Sequence, residues 1–144
     1  MTERTFAMIK PDAVKANHTT DIVASLGPNL MLEVMVRIKM TREQAEGFYA
    51  EHKGRPYFAR LIEFMTSGPV CLMVLRGPNA VQEWRDRIGP TDPKKAGPQT
   101  IRGRFGTEQP CNAVHGSDSP ESARREIEYF KDLVAPKWDE VRVQ

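Results

Sequence analysis

The sequence predicts an α+β fold in which helices pack on one face of a four-stranded antiparallel sheet. Short apolar segments alternate along the chain with amphipathic ones, in the order strand, helix, strand, helix pair, strand, helix, loop, strand, helix. Each half of that order resembles a β-α-β unit, so the two halves together form the ferredoxin-like arrangement. The chain has 144 residues, 40% of them hydrophobic, which suffices for one core. Residues 1–144 are therefore predicted to form a single domain.

The first half supplies two strands and the segment that joins them. Residues 5–9 are apolar and end at the Lys-Pro-Asp run at 10–12, where proline cannot continue a strand ladder. Residues 12–26 have helical character and are closed by Gly-Pro-Asn at 27–29. From residue 32 to residue 38 apolar and polar side chains alternate, which predicts a half-buried strand.

Two capping boxes mark the starts of predicted helices. Thr41 is followed three residues later by Gln44, and Asn79 in the same way by Gln82, so each pair can satisfy two free N–H groups of a first turn. The first box opens a helix over residues 42–52. The second opens the helix that precedes a long loop.

The rest of the second half follows from apolar runs and turn residues. Residues 57–65 form a second short amphipathic helix, and the continuously apolar residues 69–75 form a central strand covered on both faces. Residues 89–110 carry four prolines, four glycines and no periodicity, and irregular loops of that length are usually functional. A short strand at 113–115 follows. Residues 133–144 are expected to form a tail packed on the surface or on a neighbouring subunit.

Charge and cysteine content exclude several classes of protein. The 21 basic and 19 acidic residues give a net charge of +2. So small a net charge does not create an electrostatic field strong enough to attract nucleic acid or a membrane surface. Cys71 and Cys111 form neither a disulfide framework nor a metal-ligand spacing, so a reducing, cytoplasmic setting is expected. The longest apolar run, residues 70–75, is far shorter than the roughly 20 residues that span a bilayer. No membrane partner is therefore expected.

Residues 112–122 contain the candidate nucleophile. His115 leaves a short apolar run and is followed by Gly116, and Ser119 and Pro120 then suit the N-cap and the first position of an amphipathic helix. The free N–H groups of a helix start favour anions such as phosphate. A neutral imidazole beside them can act as a nucleophile, although a single histidine next to glycine can equally be a satisfied turn residue.

Polar and cationic residues elsewhere could bind a polyphosphate together with a nucleophile. The glycine-rich G-x-x-x-x-G-K-[ST] and G-x-G-x-x-G loops are absent, and no histidine or cysteine cluster has zinc spacing. Side chains must then position and neutralise the phosphates, which is most of what phosphoryl transfer needs from a protein. The candidates are Lys10 at a strand end, Arg85 on a helix, and Thr91 and Arg102 in the long loop, together with His115. The loop also carries Lys94, Lys95, Thr100 and Arg104, so it could close over an anion.

Three motifs resemble those of the nucleoside diphosphate kinase family. They are Asn-Ala-Val-His-Gly-Ser-Asp-Ser at 112–119, Lys-Pro-Asp at 10–12 and Thr-Ile-Arg-Gly at 100–103, and the resemblance extends over residues 4–130. It implies the ferredoxin-like fold and a ping-pong exchange. In that exchange the γ-phosphate of a nucleoside triphosphate passes to His115 and then to a nucleoside diphosphate, which maintains the (deoxy)nucleoside triphosphate pools.

The resemblance also implies roles for individual residues. Glu126 would hold the other ring nitrogen of His115, with Ser117 nearby and Lys10 as a further catalytic residue. The implied phosphate ligands are Lys10, Tyr49, Arg85, Thr91 and Arg102, the ribose contacts are Lys10 and Asn112, and the base clamp is Tyr57 with Leu61. Magnesium (Mg²⁺) is expected to arrive with the nucleotide, held by phosphate oxygens and water, so no protein residue is predicted as a metal ligand.

Three positions depart from the family pattern. Tyr57 stands where phenylalanine is usual, Phe48 where histidine is common, and Pro90 where an acidic residue is frequent. None of these departures removes a catalytic group. The resemblance implies nucleoside di- and triphosphates as partners and a homo-oligomer, either a tetramer or a hexamer built from dimers, without specific nucleic-acid binding.

Two other functions fit parts of the sequence. A ferredoxin-like sheet with basic residues in a loop could bind nucleic acid, but the strands lack the paired aromatic residues on which bases stack. A catalytically inactive regulatory relative is disfavoured because every matched site residue is present. Arg102 itself leaves two interpretations open: a guanidinium that grips the phosphate chain, or a structural residue that pins the long loop through carbonyl contacts.

Overall fold

The computed structural model describes residues 2–134, in which four apolar segments form one antiparallel sheet. The strands are β1 (Glu3–Ile9), β2 (Met31–Ile38), β3 (Val70–Gly77) and β4 (Val114–Gly116). Their order across the sheet is β2-β3-β1-β4, and all three neighbouring pairs are antiparallel. The predicted ferredoxin-like α+β fold is confirmed.

Burial separates the central strands from the edge. Leu72, Met73 and Leu75 of β3 are fully buried, as expected for a continuously apolar strand with a neighbour on each side. Strand β2 lies at the edge and combines half-buried with exposed side chains, among them Met31 and Met35, which are 56% and 45% exposed. The two sequence patterns therefore placed these strands correctly.

Short helices connect and cover the strands. In chain order they are α1 (Pro11–Lys15), α2 (Thr19–Ala24), α3 (Arg42–Phe48), α4 (Phe58–Met65), α5 (Ala80–Ile88), α6 (Ile101–Phe105), α7 (Pro120–Tyr129) and α8 (Lys131–Val134). The predicted helix over residues 12–26 is broken in two by a turn in which Asn17 adopts a left-handed backbone, with a φ of 65°. The predicted helix over residues 42–52 ends in the 3-10 turn Ala50–His52.

Helices cover both faces of the sheet, so the prediction of one covered face was wrong. Successive strand residues point to opposite faces, and in β1 the side chains of Phe6, Ala7, Met8 and Ile9 are all fully buried. Both faces are therefore apolar and both need a cover. The core of one face is completed by α1, α2, α5 and α6. The core of the other face is completed by α3, α4, α7 and α8.

Two of the three predicted helix starts have the expected caps. The Thr41 box is complete, because the Thr41 hydroxyl accepts from the Gln44 N–H at 3.0 Å and the Gln44 side chain accepts from the Thr41 N–H at 2.9 Å. The Ser119 hydroxyl likewise accepts from the Ser122 N–H at 3.0 Å, and Pro120 occupies the first position of α7.

The predicted box at Asn79 was wrong. Asn79 precedes α5 but its side chain makes no capping hydrogen bond. A carboxylate from β1 replaces it, because Oε1 of Glu3 accepts from the Val81 N–H at 2.9 Å. The free N–H groups of this helix are thus partly satisfied by a partner 78 residues away in the chain, which sequence spacing cannot reveal.

The long loop is more ordered than its composition suggests. Within residues 89–110 the chain forms the 3-10 turn Pro93–Lys95 and the helix α6. The hydroxyl of Thr100 accepts from the Gly103 N–H at 3.0 Å and caps α6, and Ile101 is buried. The helix spans 5 residues, too few to produce a periodic pattern, and the prediction of a fully irregular segment was therefore wrong.

The C-terminal prediction is only partly covered by the described residues. Val134, the last of them, ends α8 and is buried. The remainder of the predicted tail, residues 135–144, lies outside the described part of the chain. Within residues 2–134 no helix has both the length and the apolar character needed to cross a membrane.

Candidate active site

His115 lies in the middle of the three-residue strand β4, where it pairs with Met8 of β1. Its side chain is 19% exposed. The rings of Phe48 and Tyr49 face the imidazole edge-on, with centroids 5.2 and 6.5 Å from its own. The imidazole is thus packed on aromatic rings and is still reached by solvent.

One ring nitrogen of His115 is occupied and the other is available. Nε2 lies 2.8 Å from Oε1 of Glu126, a residue of α7 that is 7% exposed. The Ser117 hydroxyl donates to the same oxygen at 2.8 Å. A carboxylate oxygen only accepts, so the proton of the neutral imidazole lies on Nε2 and the lone pair on Nδ1. No side chain of residues 2–134 forms a hydrogen bond to Nδ1, which can therefore act as a nucleophile.

Side chains from other elements fix the backbone around His115. Trp84 of α5 donates from Nε1 to the His115 carbonyl at 3.0 Å, and a Cβ added at Gly116 would lie only 2.7 Å from the Trp84 ring. One residue before β4, Ala113 adopts a φ of 73°, which is uncommon for a residue with a side chain. The carboxylate of Asp12 accepts from the Ala113 N–H at 3.1 Å and holds that turn. Burial raises the pKa of Asp12.

Lys10 follows β1 directly and lies beside Asn112. Lys10 is 7% exposed, and its ammonium donates to Oδ1 of Asn112 at 2.8 Å. Nδ2 of Asn112 in turn donates to the Thr91 carbonyl at 2.9 Å. Burial, followed by the positive charge of Arg102, lowers the pKa of Lys10 to about 8. At neutral pH the ammonium is thus charged and poorly solvated, a state that an anionic ligand stabilises.

Arg102 of α6 is held by two backbone carbonyls. Nη1 donates to Gly89 and Nη2 to Val114, each at 2.9 Å, while Nε is buried without a partner among the described residues. Burial, followed by the positive charge of Arg85, lowers the pKa of Arg102 to about 10. The guanidinium thus joins the start of the long loop to β4. The structural interpretation of Arg102 is supported, and its contact with phosphate stays a prediction.

Arg85 and Arg102 line a common cavity of about 500 Å³. Thr91, Gly116 and Asp118 line it as well, so the cavity reaches the residues on the C-terminal side of His115. Arg85 donates from Nη1 to the Asp118 carbonyl at 3.0 Å. Two arginines on one cavity wall create a site suited to phosphate groups.

A second cavity of about 440 Å³ collects six of the predicted nucleotide-binding residues, which are Lys10, Tyr49, Tyr57, Leu61, Thr91 and Asn112. Thr91 lines both cavities, so the two clefts meet there. The Tyr49 hydroxyl is buried without a hydrogen-bond partner in residues 2–134, and burial raises its pKa. A buried, unpaired hydroxyl on a cavity wall is a candidate ligand contact.

The basic residues of the long loop are not gathered at this site. Lys94 and Lys95 lie exposed on the 3-10 turn Pro93–Lys95 and line neither cavity. The guanidinium of Arg104 stacks on its neighbour Phe105, 4.6 Å from the ring centroid. Lys94, Lys95 and Arg104 thus line neither of the two cavities, and closure of this loop over an anion stays a prediction.

Three residues that shape the site were missed as functional in the sequence. Trp84 was given no role at the site, although its indole N–H donates to the His115 carbonyl. Asp12 was part of a matched motif but had no role. His52 was taken as the end of a helix, although it lines the 440 Å³ cavity. Of the three residues, only Asp12 had a signal in the sequence, because it belongs to the Lys-Pro-Asp motif at 10–12.

Metal ligands are not grouped in the described part of the chain. No three histidine, cysteine, aspartate or glutamate side chains within residues 2–134 lie close enough together to hold an ion. The predicted nucleotide-binding residues that line the two cavities offer mainly ammonium, guanidinium, hydroxyl and amide groups. These groups donate hydrogen bonds, which suits them to phosphate oxygens.

Comparisons with known proteins agree with this geometry. The family model described as nucleoside diphosphate kinase matches residues 3–133. Nucleoside diphosphate kinase 2 of Protochlamydia amoebophila is 53% identical over 139 residues, covering 94% of this chain and 97% of the relative. Nucleoside diphosphate kinase of Bdellovibrio bacteriovorus is 53% identical over 129 residues, covering 89% and 92%.

Solved structures give the same result. The chain superposes on the nucleoside diphosphate kinase of Aquifex aeolicus with a TM-score of 0.86 at 39% identity, covering 93% of this chain and 100% of the other. It superposes on a halophilic nucleoside diphosphate kinase from Halobacterium salinarum in complex with CDP with a TM-score of 0.87 at 39% identity, covering 93% and 92%.

Proposed function

The chain belongs to the nucleoside diphosphate kinase family, and on that premise we propose that it exchanges phosphate between nucleotides through a phosphohistidine at His115. The terminal phosphate of a nucleoside triphosphate moves to His115 and from there to a nucleoside diphosphate. The exchange maintains the (deoxy)nucleoside triphosphate pools. The observation that carries the proposal is the His115 ring itself, whose Nε2 lies 2.8 Å from the Glu126 carboxylate while no side chain of residues 2–134 forms a hydrogen bond to Nδ1.

The first half-reaction begins with the Nδ1 lone pair. It attacks the γ-phosphorus, an N–P bond forms, and the bond from phosphorus to the bridging oxygen of the β-phosphate breaks, so that the nucleoside diphosphate leaves with that electron pair. The ring then carries a phosphoryl group on Nδ1 and a proton on Nε2, and is formally positive. The Glu126 carboxylate, 2.8 Å from Nε2, stabilises that charge, and the Ser117 hydroxyl orients the carboxylate.

The second half-reaction reverses the first with a different nucleotide. A terminal phosphate oxygen of a nucleoside diphosphate attacks the phosphorus, the N–P bond breaks, and the electron pair returns to Nδ1. Neutral His115 is restored with its proton still on Nε2. No net proton transfer by the protein is needed, so Glu126 acts by charge and orientation rather than as a base.

The cations and the aromatic wall supply positioning. Lys10, Arg85 and Arg102 neutralise the phosphate chain, and Tyr49 and Thr91 add hydroxyl contacts to it. The ribose lies against Lys10 and Asn112. The base stacks between Tyr57 and Leu61, and because every base has an aromatic face, stacking accepts all of them. The support for this arrangement is that all eight residues line the two cavities that meet at Thr91.

The Mg²⁺ ion is proposed to arrive as part of the nucleotide substrate. The site offers phosphate-binding groups and no three-residue cluster of metal ligands within residues 2–134, which fits an ion held by nucleotide oxygens and water. Bound with the nucleotide, it would reduce the negative charge of the phosphates that Lys10, Arg85 and Arg102 are proposed to contact.

The remaining parts of the proposal concern the whole protein. Residues 1–144 form one domain, which works in the cytoplasm and assembles into a homo-oligomer, a tetramer or hexamer built from dimers. The edge strand β2, with Met31 and Met35 exposed, supports self-association, since exposed apolar side chains on a sheet edge favour pairing with another chain. The strands lack the paired aromatic residues on which bases stack, and this argues against specific nucleic-acid binding.

The decisive experiment is incubation with radiolabelled ATP alone. We expect an acid-labile, alkali-stable phosphoprotein and release of one ADP per active site, and we expect transfer of the label to added GDP. His115→Ala should abolish both labelling and exchange without lowering the melting temperature greatly. His18→Ala is the matched control for loss of a histidine and should be labelled normally. Labelling of His115→Ala at the wild-type rate would disprove the mechanism.

A further inference from the structure

The exposed aromatic wall of the 440 Å³ cavity is anchored by a second side chain. Tyr57 is 47% exposed, and its hydroxyl lies 2.6 Å from Nδ1 of His52. The two ring centroids are 5.6 Å apart, and both residues line the cavity. The contact depends on the Tyr57 hydroxyl, which a phenylalanine at the same position would lack.

The direction of the hydrogen bond follows from the other side of the imidazole. Nε2 of His52 lies 3.8 Å from Oε1 of Glu51, and a nearby carboxylate favours the imidazole proton on that nitrogen. Nδ1 is then the acceptor and the Tyr57 hydroxyl the donor.

His52 is itself well placed to act as an anchor. It ends the 3-10 turn Ala50–His52, and its backbone N–H donates to the Tyr49 carbonyl at 2.9 Å. Its ring also lies beside the buried Tyr49 ring, at a centroid distance of 6.1 Å. The anchor is thus tied to a residue of the cavity floor, whereas Tyr57 reaches into solvent.

An anchored ring binds a base more tightly than a free one. An exposed tyrosine that rotates freely loses side-chain freedom when a base stacks on it, and a ring already held in place loses less. The hydrogen bond also commits the only proton of the phenol, so the hydroxyl does not donate to base edges. Tyr57 then behaves as a flat apolar wall, as phenylalanine would.

We propose that His52 is a positioning residue for nucleotide binding, which accepts a hydrogen bond from Tyr57 and so holds the phenol ring as a preformed wall for the base. The proposal rests on the proposed function, because it takes Tyr57 to be a base contact. It assigns His52 no contact with the reacting phosphate.

The test is a double-mutant cycle read by calorimetric titration with ADP and with GDP, neither of which turns over alone. His52→Ala should raise the Kd of both diphosphates about threefold to tenfold, the range expected for losing one hydrogen bond and one ordered side chain. In exchange assays KM should rise by a similar factor while kcat stays within about twofold. Tyr57→Phe should have the same effect as His52→Ala, and the double variant no more than either alone.

Conservative replacements separate positioning from packing. Oδ1 of an asparagine can occupy the place of Nδ1, so His52→Asn should restore the wild-type Kd, whereas His52→Gln places its oxygen near Nε2 and should not. Lys53→Ala, an exposed neighbour in the same turn, is the control and should bind normally.

Three results would overturn the proposal. The first is an unchanged Kd in His52→Ala. The second is a rise in Kd on adding His52→Ala to Tyr57→Phe that is as large as the rise in the wild-type background. The third is a fall in kcat at constant KM in His52→Ala. Because calorimetry needs no turnover, a wild-type protein that binds diphosphates without exchanging phosphate would overturn the proposed function and leave the His52 result standing.

Discussion

Replacing Arg102 by lysine separates the two roles that this residue can have. Arg102 donates to the carbonyls of Gly89 and Val114, each at 2.9 Å. A lysine ammonium cannot span both acceptors in the geometry of the planar fork, so at least one bond is lost. A hydrogen bond from a charged donor contributes about 1.5–3 kcal/mol. For a protein of this size each kcal/mol corresponds to roughly 3–4 °C in melting temperature, which gives an expected fall of about 5–12 °C.

The expected loss of activity is separate from the loss of stability. If the guanidinium also grips the phosphate chain, loss of the fork should lower kcat/KM on the order of tenfold to a thousandfold, or roughly 1.4–4 kcal/mol of transition-state stabilisation. A role confined to the phosphate chain would leave the melting temperature unchanged, whereas the two carbonyl contacts predict that it falls. Burial already lowers the pKa of Arg102, and a lysine, with a lower ordinary pKa, would lose its charge closer to neutral pH.

The assay combines a melting curve with single-turnover phosphorylation of His115, measured well below the melting temperature. Arg104→Lys is the control, since Arg104 lies exposed on the same helix and stacks on Phe105. A destabilised Arg102→Lys protein with a normal phosphorylation rate once folded would refute the phosphate contact. An unchanged melting temperature would refute the magnitude worked out from the carbonyl bonds.

Three further predictions concern other parts of the site. Because the pKa of free Lys10 is lowered to about 8, ADP affinity should weaken as the pH rises through about 8 and the ammonium loses its proton; calorimetry between pH 6.5 and 9.5 should show this bend in wild type and not in Lys10→Met. The same lowered pKa means that the unfolded state binds more protons between about pH 8 and 10.5, so this group favours folding increasingly as the pH rises across that window and the gain disappears below it. Glu126→Gln removes the charge beside Nε2 but keeps an acceptor, so rapid-quench phosphorylation of His115 should slow about tenfold to a hundredfold, and an unchanged rate would show that the charge is unimportant. Tyr57→Ala should raise KM roughly fivefold to a hundredfold for ADP, GDP and CDP alike; a loss confined to purines would count against a stacking clamp.

Local sequence patterns predicted most of the fold. The apolar run at residues 69–75 identified a central strand, and the alternation at residues 32–38 identified an edge strand. A strand buried on both faces is apolar throughout, whereas a strand buried on one face alternates apolar and polar residues. Thr41 and Ser119 identified helix starts for a similarly local reason. The prediction of a cap at Asn79 failed because the side chain that caps α5, Glu3, comes from the distant strand β1. The helix α6 was missed because one capped turn is shorter than any periodicity.

The candidate site was predictable only through the motifs. No spacing rule brings Lys10 to Asn112, which are 102 residues apart in the chain, or Trp84 to the carbonyl of His115, 31 residues away. The short motifs identified the residues of the site, but only the pairing of β4 with β1 brings Lys10, which follows β1, close to Asn112, which precedes β4. Lys94 and Lys95 show the limit of composition: they are basic and close in sequence to the site, but the turn that carries them points them to solvent.

The shortness of strand β4 explains why some residues near His115 both hold the backbone and border the candidate site. It pairs with β1 over only three residues, a short ladder for a segment that must hold a nucleophile. Side chains replace the missing ladder bonds: Trp84 holds the His115 carbonyl, Arg102 holds the Val114 carbonyl, and Asp12 holds the preceding turn. A short strand leaves its last residues close to the cavities instead of inside the sheet. Among the three anchors, Arg102 also lines the 500 Å³ cavity, so the guanidinium that holds the Val114 carbonyl borders the space in which we propose that the phosphates bind.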